Sequence, residues 1–413
     1  MHPERSESNL DEQRLLKRNL LIMWFSNFFV GGSMTMVLPF ISLYIKTLGN
    51  FSETYVQHWA GITFAATFVT AFFFSPVLGR LGDRYGRKRI LIALGMGMSV
   101  SLFLMGVVET VWQLFTLRLF MGFFAGMVSI TQAFISTQTP KHMAGRVLGT
   151  LQTGSIAGTL LGPLIGGFLA DSFGYALTFK GTSAIILISV ILIFSAREHK
   201  LKPKEDKKTF YTRIEVIQHI LGNPALATVL FISMLIQVAL FSIQPILALF
   251  VSELHGPENL AFISGLAFSA AGVGNLMMAR KWGDLADRKG YLNILIILLL
   301  SGAAIYTFGA FVTEVWQLVL IRFGLGITTG GIIPVRMAYI RQEAPIAIQG
   351  EVLGYNTSLR FLGNIVGPVL GGFLAGSLGF ASVFIVTSAL LLISGLTLLA
   401  VTRRMHLLKS GAH

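Results

Sequence analysis

The chain has 413 residues, 54% of them apolar and only 12% charged, with a formal net charge of +13 and no cysteine. A mean hydropathy of +0.71, with about half the charged fraction of an ordinary globular domain, excludes a water-facing surface. The missing cysteine excludes disulfides and thiolate metal sites.

Residues 1–19 are polar and mixed in charge. A hydrocarbon core of roughly 30 Å needs about 20 apolar helical residues to cross it. Runs of that length predict helices over roughly 20–45, 57–80, 90–108, 112–138, 146–170 and 174–195. The first run is too long for a cleavable signal and lacks a small-residue cleavage pattern, so it stays as the first span. A polar stretch of mixed sign, 197–224, follows, in which Tyr211 to Leu221 reads as an amphipathic helix lying on the membrane. Six further runs predict helices over roughly 225–252, 259–281, 292–311, 315–340, 350–375 and 379–402, and a short basic tail occupies 403–413. The reading is an all-α, multi-pass membrane protein. It has twelve transmembrane helices in two six-helix bundles, 20–196 and 225–402, joined by a linker over 197–224.

A net charge of this size would point to nucleic acid in a soluble protein, but its placement here gives membrane topology instead, with no nucleic-acid partner. Of the Lys and Arg in tails, loops or helix ends, only Lys46 and Lys180 fall on the side opposite the N-terminus. By the positive-inside rule the N-terminal side is the cytoplasm, so both termini are expected there, in a chain placed in the cell membrane.

The bundles are two copies of one plan. Gly79-Arg80-Leu81-Gly82-Asp83-Arg84-Tyr85-Gly86-Arg87, a basic, glycine-punctuated stretch read as a loop, returns 204 residues later as Gly283-Asp284-Leu285-Ala286-Asp287-Arg288-Lys289-Gly290. Trp112-Gln113-Leu114 with Arg118 returns as Trp316-Gln317-Leu318 with Arg322, and Gly162-Pro163-x-x-Gly166-Gly167 as Gly367-Pro368-x-x-Gly371-Gly372. Upstream of the last motif, Gly154 and Gly158 extend a four-residue glycine spacing that allows backbone-to-backbone helix packing. Pro163 removes a backbone donor and invites a bend.

With these motifs in register, the chain resembles the major facilitator superfamily of secondary transporters from about Leu20 to Val401. Within it the chain is similar to the twelve-helix drug:proton antiporters, the MdtG-like bacterial multidrug exporters in particular. The resemblance implies the major facilitator fold, with a central cavity exposed to alternate sides as one half rocks against the other. It implies a protein of the lipid bilayer that exports amphipathic small molecules in exchange for protons, with no cofactor. It assigns conformational gating to Gly79, Asp83, Arg84, Gly86, Arg87, Gly283, Asp287 and Arg288, with Asp83 meeting the end of helix eleven. The antiporter motif falls on Gly154, Gly158, Gly162, Pro163, Gly166 and Gly167, and Arg118 becomes the proton-relay candidate.

Charges inside the membrane are expensive and mark functional candidates. Arg118 and Arg322 are equivalent in the repeat and imply a shared job, such as holding backbone carbonyls. Arg336 and Arg360 are not repeated; Gln132 and Ser155 stand at the matching positions. The second half of the cavity is therefore expected to be electropositive and to receive an anionic or zwitterionic group. The polar pool for substrate binding is Arg336, Arg360, Asn27, Gln132, Gln152, Gln237, Gln244, Asn275, Tyr355, Asn356 and Asn364, among aromatic and Met side chains suited to bulky amphipathic molecules. The sequence departs from many such antiporters in lacking an acid within helix one. Asp83, Asp171, Glu53 and Glu351 are the nearest carboxylates, so proton coupling comes from the resemblance alone.

Within transport, the second reading is an exporter or flippase for an anionic lipid, siderophore or metabolite; sugar or nutrient uptake ranks below it. An intramembrane enzyme would need an embedded His, Asp, Glu or activated Ser. All eight histidines fall at predicted helix ends or outside, and no metal-ligand spacing is present.

Overall fold

The computed structural model describes residues 3–140, 143–198, 213–345 and 348–410. Among them there is no strand, and twelve helices are long and apolar enough to cross a membrane. We number these α1 (Arg14–Thr47), α2 (Glu53–Tyr85), α3 (Arg87–Met105), α4 (Val111–Ser136), α5 (Ala144–Phe173), α6 (Tyr175–Ser195), α7 (Pro224–His255), α8 (Leu260–Lys289), α9 (Tyr291–Gly309), α10 (Val315–Glu343), α11 (Gln349–Leu378) and α12 (Phe380–Met405). Helix is the only open-chain answer in hydrocarbon, because every backbone N–H and C=O must find its partner within the segment.

Several helices are broken or extended relative to the sequence expectation. Before Pro39 the α1 helix stops at Met36, passes through a 3-10 turn at Leu38–Phe40 and resumes at Ile41. Its repeat partner α7 stops at Ser242 and resumes at Leu247, around Pro245. Proline lacks the N–H and clashes with the preceding turn, which explains both breaks. The basic motif is helical rather than a loop: α2 runs unbroken to Tyr85 and α8 to Lys289. Only one residue in each copy leaves the helix, Gly86 (φ 94°) and Gly290 (φ 89°). Gly174 (φ 82°) and Gly379 (φ 79°) make the same joint between α5 and α6 and between α11 and α12. A side chain is strained in that backbone region, so glycine is required at all four joints.

The repeated Trp-Gln-Leu also has a structural cause. Gln113 accepts from the backbone N–H of Glu109 and Thr110 at 2.8 and 3.2 Å, completing a capping box with Thr110 at the start of α4. Gln317 does the same for Thr313 and Glu314 at 2.9 and 3.3 Å at the start of α10. Each glutamine satisfies donors that the first helical turn cannot pair internally. The adjacent Trp112 and Trp316 stay 63% and 62% exposed, as rings at a membrane–water interface do.

By packing, the chain divides into two compact units. One comprises Met1–Tyr44 and Ala66–Glu205, the other Ile45–Ala65 and Asp206–His413. The stretch 45–65 joins the second unit because its small residues meet α11. Gly61 lies against the Pro368 carbonyl, Thr54 donates to the Gly376 carbonyl at 3.3 Å, and His58 stacks on Phe373 at 4.1 Å. A short helix, Arg213–Gly222, precedes α7 and leaves Ile214, Ile217 and Leu221 exposed while Val216 is buried. Those three apolar side chains recur at helical spacing, the pattern of a helix lying in a membrane surface.

Candidate substrate-binding site

In the first unit, α1 and α5 meet backbone to backbone. A Cβ on Gly154 would lie 2.5 Å from the Trp24 carbonyl oxygen, and one on Gly162 2.5 Å from that of Gly32. Gly158 and Gly166 sit equally hard against the Phe28 and Met36 carbonyls, and Pro163 and Gly167 are buried beside them. The second unit repeats the seam between α7 and α11. There Gly363 would meet the Met234 carbonyl at 2.6 Å and Gly367 that of Val238 at 2.7 Å, with Gly371 against Ser242. These glycines fix the depth at which each pair of helices interlocks, and with it the register of every polar side chain on the two seams.

At the end of α2, Arg87 donates from Nη1 to the Ala133 carbonyl and to Thr137 Oγ1 at 2.9 Å. The start of α3 is capped by Glu198, whose carboxylate accepts from the backbone N–H of Arg87 at 3.0 Å and of Lys88 at 3.3 Å. Lys88 Nζ also reaches the Phe194 carbonyl at 2.7 Å. A carboxylate at a helix N-terminus meets both the free N–H groups and the positive end of the dipole. Glu198 is the capping residue of the basic motif that the sequence reading missed. Its signal was an acid at the end of α6, on the same side as the basic motif and within reach of its unpaired N–H groups. The side chain of Asp83 lies outside the described residues, as does the surrounding of Gly79; Arg84 is exposed beside the Tyr85 ring. In the second copy, Gly283 has open space around it, Arg288 is exposed and Asp287 accepts from the Tyr291 hydroxyl.

The repeated arginines are both 4% exposed. Arg322 donates from Nε to the Ala267 carbonyl at 3.2 Å and lies over the Phe268 ring. Arg118 reaches Met121 Sδ at 3.8 Å, while its own carbonyl accepts from Thr67 at 3.1 Å.

The polar pool divides by unit. In the first, Gln132 donates to Gln152 at 2.8 Å, so one amide satisfies the other, and Asn27 is fully buried with neither amide atom partnered among the described residues. In the second, Arg336 is fully buried, and none of its three guanidinium nitrogens finds a partner among the described residues. Arg360 is half-buried with Nε likewise unpartnered, and the two like charges act on each other. Asn356, fully buried, donates to Met337 Sδ at 3.4 Å and keeps an unpartnered Oδ1; Asn364 Oδ1 and Gln237 Oε1 are also buried without a partner. Tyr355 and Gln244 are half-buried. Among the described residues no group of three or more His, Asp or Glu is placed to hold a metal.

This double-seamed, twelve-span arrangement is matched across nearly its whole length by known proteins. The profile of the Major Facilitator Superfamily fits residues 23–312 and, overlapping, 265–412. The chain belongs to the major facilitator superfamily. That membership makes it a multi-pass membrane transporter and not an enzyme. It is 51% identical, over 89% of its length and 94% of the relative's, to a Bacillus subtilis protein described as an uncharacterized MFS-type transporter, YuxJ. It is 38% identical, over 92% of its length and 93% of the relative's, to the multidrug resistance protein MdtG of Dickeya zeae. Among solved structures, the fold is similar to the nucleoside transporter NupG, with a TM-score of 0.74 over 94% of this chain and 99% of that one. It is also similar to a D-xylose–proton symporter, with a TM-score of 0.75 over 93% and 97%. At 15% and 16% identity these two structures speak for the fold of this superfamily member alone.

Proposed function

We propose that the protein is a secondary active transporter of the cell membrane that exports amphipathic small molecules, multidrug efflux, by alternating access in exchange for protons. Both termini then lie in the cytoplasm. The observation that carries this reading is the 38% identity, along nearly the whole chain, to proteins bearing the name multidrug resistance protein. The glycine-proline seam of α5 supports it. So does a polar pool made of amides and arginines with few formal acids, which suits bulky substrates held mainly by apolar contact and oriented by a few polar groups. Gating is assigned to the basic segments, where Arg87 and Glu198 tie the start of α3 to α4 and to the residues just after α6. Arg118 stands as the relay candidate, buried in α4, where its backbone carbonyl accepts from the Thr67 hydroxyl of α2.

The test is uptake into inverted membrane vesicles under an imposed pH gradient, acid inside. Rhodamine 123, an amphipathic cation, is expected to accumulate several-fold above vesicles lacking the protein, and the gain should vanish when nigericin collapses the gradient. Accumulation that survives the collapse would remove proton exchange from the reading. Failure to accumulate either a cationic or an anionic amphiphile would remove export itself. A second reading, export or flipping of an anionic lipid, siderophore or metabolite, is favoured by Arg336 and Arg360.

A further inference from the structure

A guanidinium is protonated at any physiological pH, and burying it without partners is among the least favourable things a fold can do. Among the described residues Arg336 is the bulkiest fully buried side chain, yet its Nε, Nη1 and Nη2 are all unpartnered there. Carbonyl binding, the role that Arg322 fills with Ala267, is therefore not its role in this structure. No acid offsets it either. Among the described residues of α7 to α12, every Asp and Glu sits in a terminal stretch of its helix, and neither Arg336 nor Arg360 forms an ion pair. Glu343, two turns along α10 from Arg336, accepts from Asn223 at 2.9 Å.

The surroundings have the chemistry of a receptor for negative charge. Asn356, Arg360 and Asn364 are spaced by four on α11, so they line one face of that helix. Asn356 contacts Met337, the neighbour of Arg336 on α10, which brings the two arginines to one place. Each buried amide there carries an oxygen without a partner. An amide whose oxygen is orphaned can be turned to present its NH2 group, since the two orientations have the same shape. Arg360 is half-buried and Arg336 fully buried, so one arginine of the pair is reachable and the other is not. At the matching positions of the first unit, Gln132 is satisfied by Gln152 and Ser155 carries no charge, so the feature is confined to one half.

We infer that Arg336 and Arg360, flanked by Asn356 and Asn364, bind the oxyanion group (carboxylate, sulfonate or phosphate) of an amphipathic substrate. This rests on the export reading and adds to it a substrate class, oxyanion-bearing amphiphiles, that the site favours over cations on the same frame. The planar fork of each guanidinium matches two oxygens of such a group, and the buried site strengthens that attraction.

The experiment compares fluorescein, an anion, with rhodamine 123, a cation on the same ring frame, using the full-length protein. Binding is read by fluorescence polarisation in detergent and transport in inverted vesicles. Wild-type protein should bind fluorescein, with affinity falling as salt rises. Arg360→Gln should lower the fluorescein-to-rhodamine preference about tenfold or more, the size expected for losing a charged hydrogen bond. Arg360→Lys should recover part of that loss. Arg336→Lys serves where Arg336→Gln does not fold. Equal loss for both dyes in Arg360→Gln, or wild-type binding of rhodamine 123 alone, overturns the inference and leaves export standing. Fluorescein binding that depends on Arg360 without any vesicle uptake keeps the anion site and sinks the export reading. Proteoliposomes with labelled phosphatidylglycerol separate a lipid headgroup from a free anion: Arg360-dependent flipping assigns the oxyanion to lipid.

Discussion

The two units keep one backbone plan and fill it with different polar chemistry. At the positions of Arg336 and Arg360 the first unit has Gln132, which closes on Gln152, and the uncharged Ser155, whereas among the described residues neither arginine of the second unit closes on a counter-charge. By contrast the seams, the capping glutamines and the left-handed joints are written the same way twice. The difference teaches where a duplicated transporter is free to vary. Helix geometry is held by atoms that leave no room for change, whereas a buried polar pocket accepts a new charge if something else supplies the counter-charge.

Four expectations follow, each able to break that comparison. The largest concerns the seams. Gly158→Leu in the first unit and Gly363→Leu in the second should each cost about 3 kcal/mol or more, since overpacking against backbone has no soft way out. Size-exclusion profiles in detergent should show aggregation for both. A tolerated change in one unit alone would mean the seams are not equivalent.

Remaking the second pocket after the first comes next. Arg336→Gln combined with Arg360→Ser removes one fully buried and one half-buried charge and should raise unfolding stability by about 2 kcal/mol, as replacing buried charge often does. Thermal unfolding followed by tryptophan fluorescence measures it, and a large loss would show that the arginines hold the fold. Smaller again is the cap on α3. Glu198→Ala should cost about 1 kcal/mol. Thr402→Ala, one residue before the place corresponding to Glu198 in the second unit, should change stability by less than about 0.5 kcal/mol, because its hydroxyl only returns to Leu398 in its own helix. Equal losses would mean an unrecognised cap there. The smallest effect is a gain: Gly149→Ala and Gly354→Ala, both facing open space, should each add up to about 1 kcal/mol through helix propensity.

Most of the architecture was legible because membrane solvent admits so few answers. Run length gave the twelve spans, and the 204-residue echo gave the pairing of halves. What the residues concealed was continuity: Gly79-to-Arg89 looks like a loop by its charge and glycine content, yet helix persists until the single residue whose φ must be positive. Trp-Gln-Leu was visible as a repeat, but the reason for its glutamine needs the position of the helix start. Arg336 and Arg360 stood out as intramembrane charges, and their lack of partners is a tertiary fact that no spacing rule contains. Glu198 was hidden for the same reason, since its two N–H partners lie 111 and 110 residues earlier in the chain.

A single glycine between two rods has consequences for how force moves through the protein. At Gly174 and at Gly379 the outgoing helix starts immediately after the incoming one stops, so there is no spare chain to absorb a shift. Whatever tilts α5 must drag the near end of α6 with it, and α11 likewise steers α12. Each such hairpin therefore behaves as a crank on a hinge pin, and lengthening the pin by inserting a residue should uncouple the two arms while leaving each helix intact.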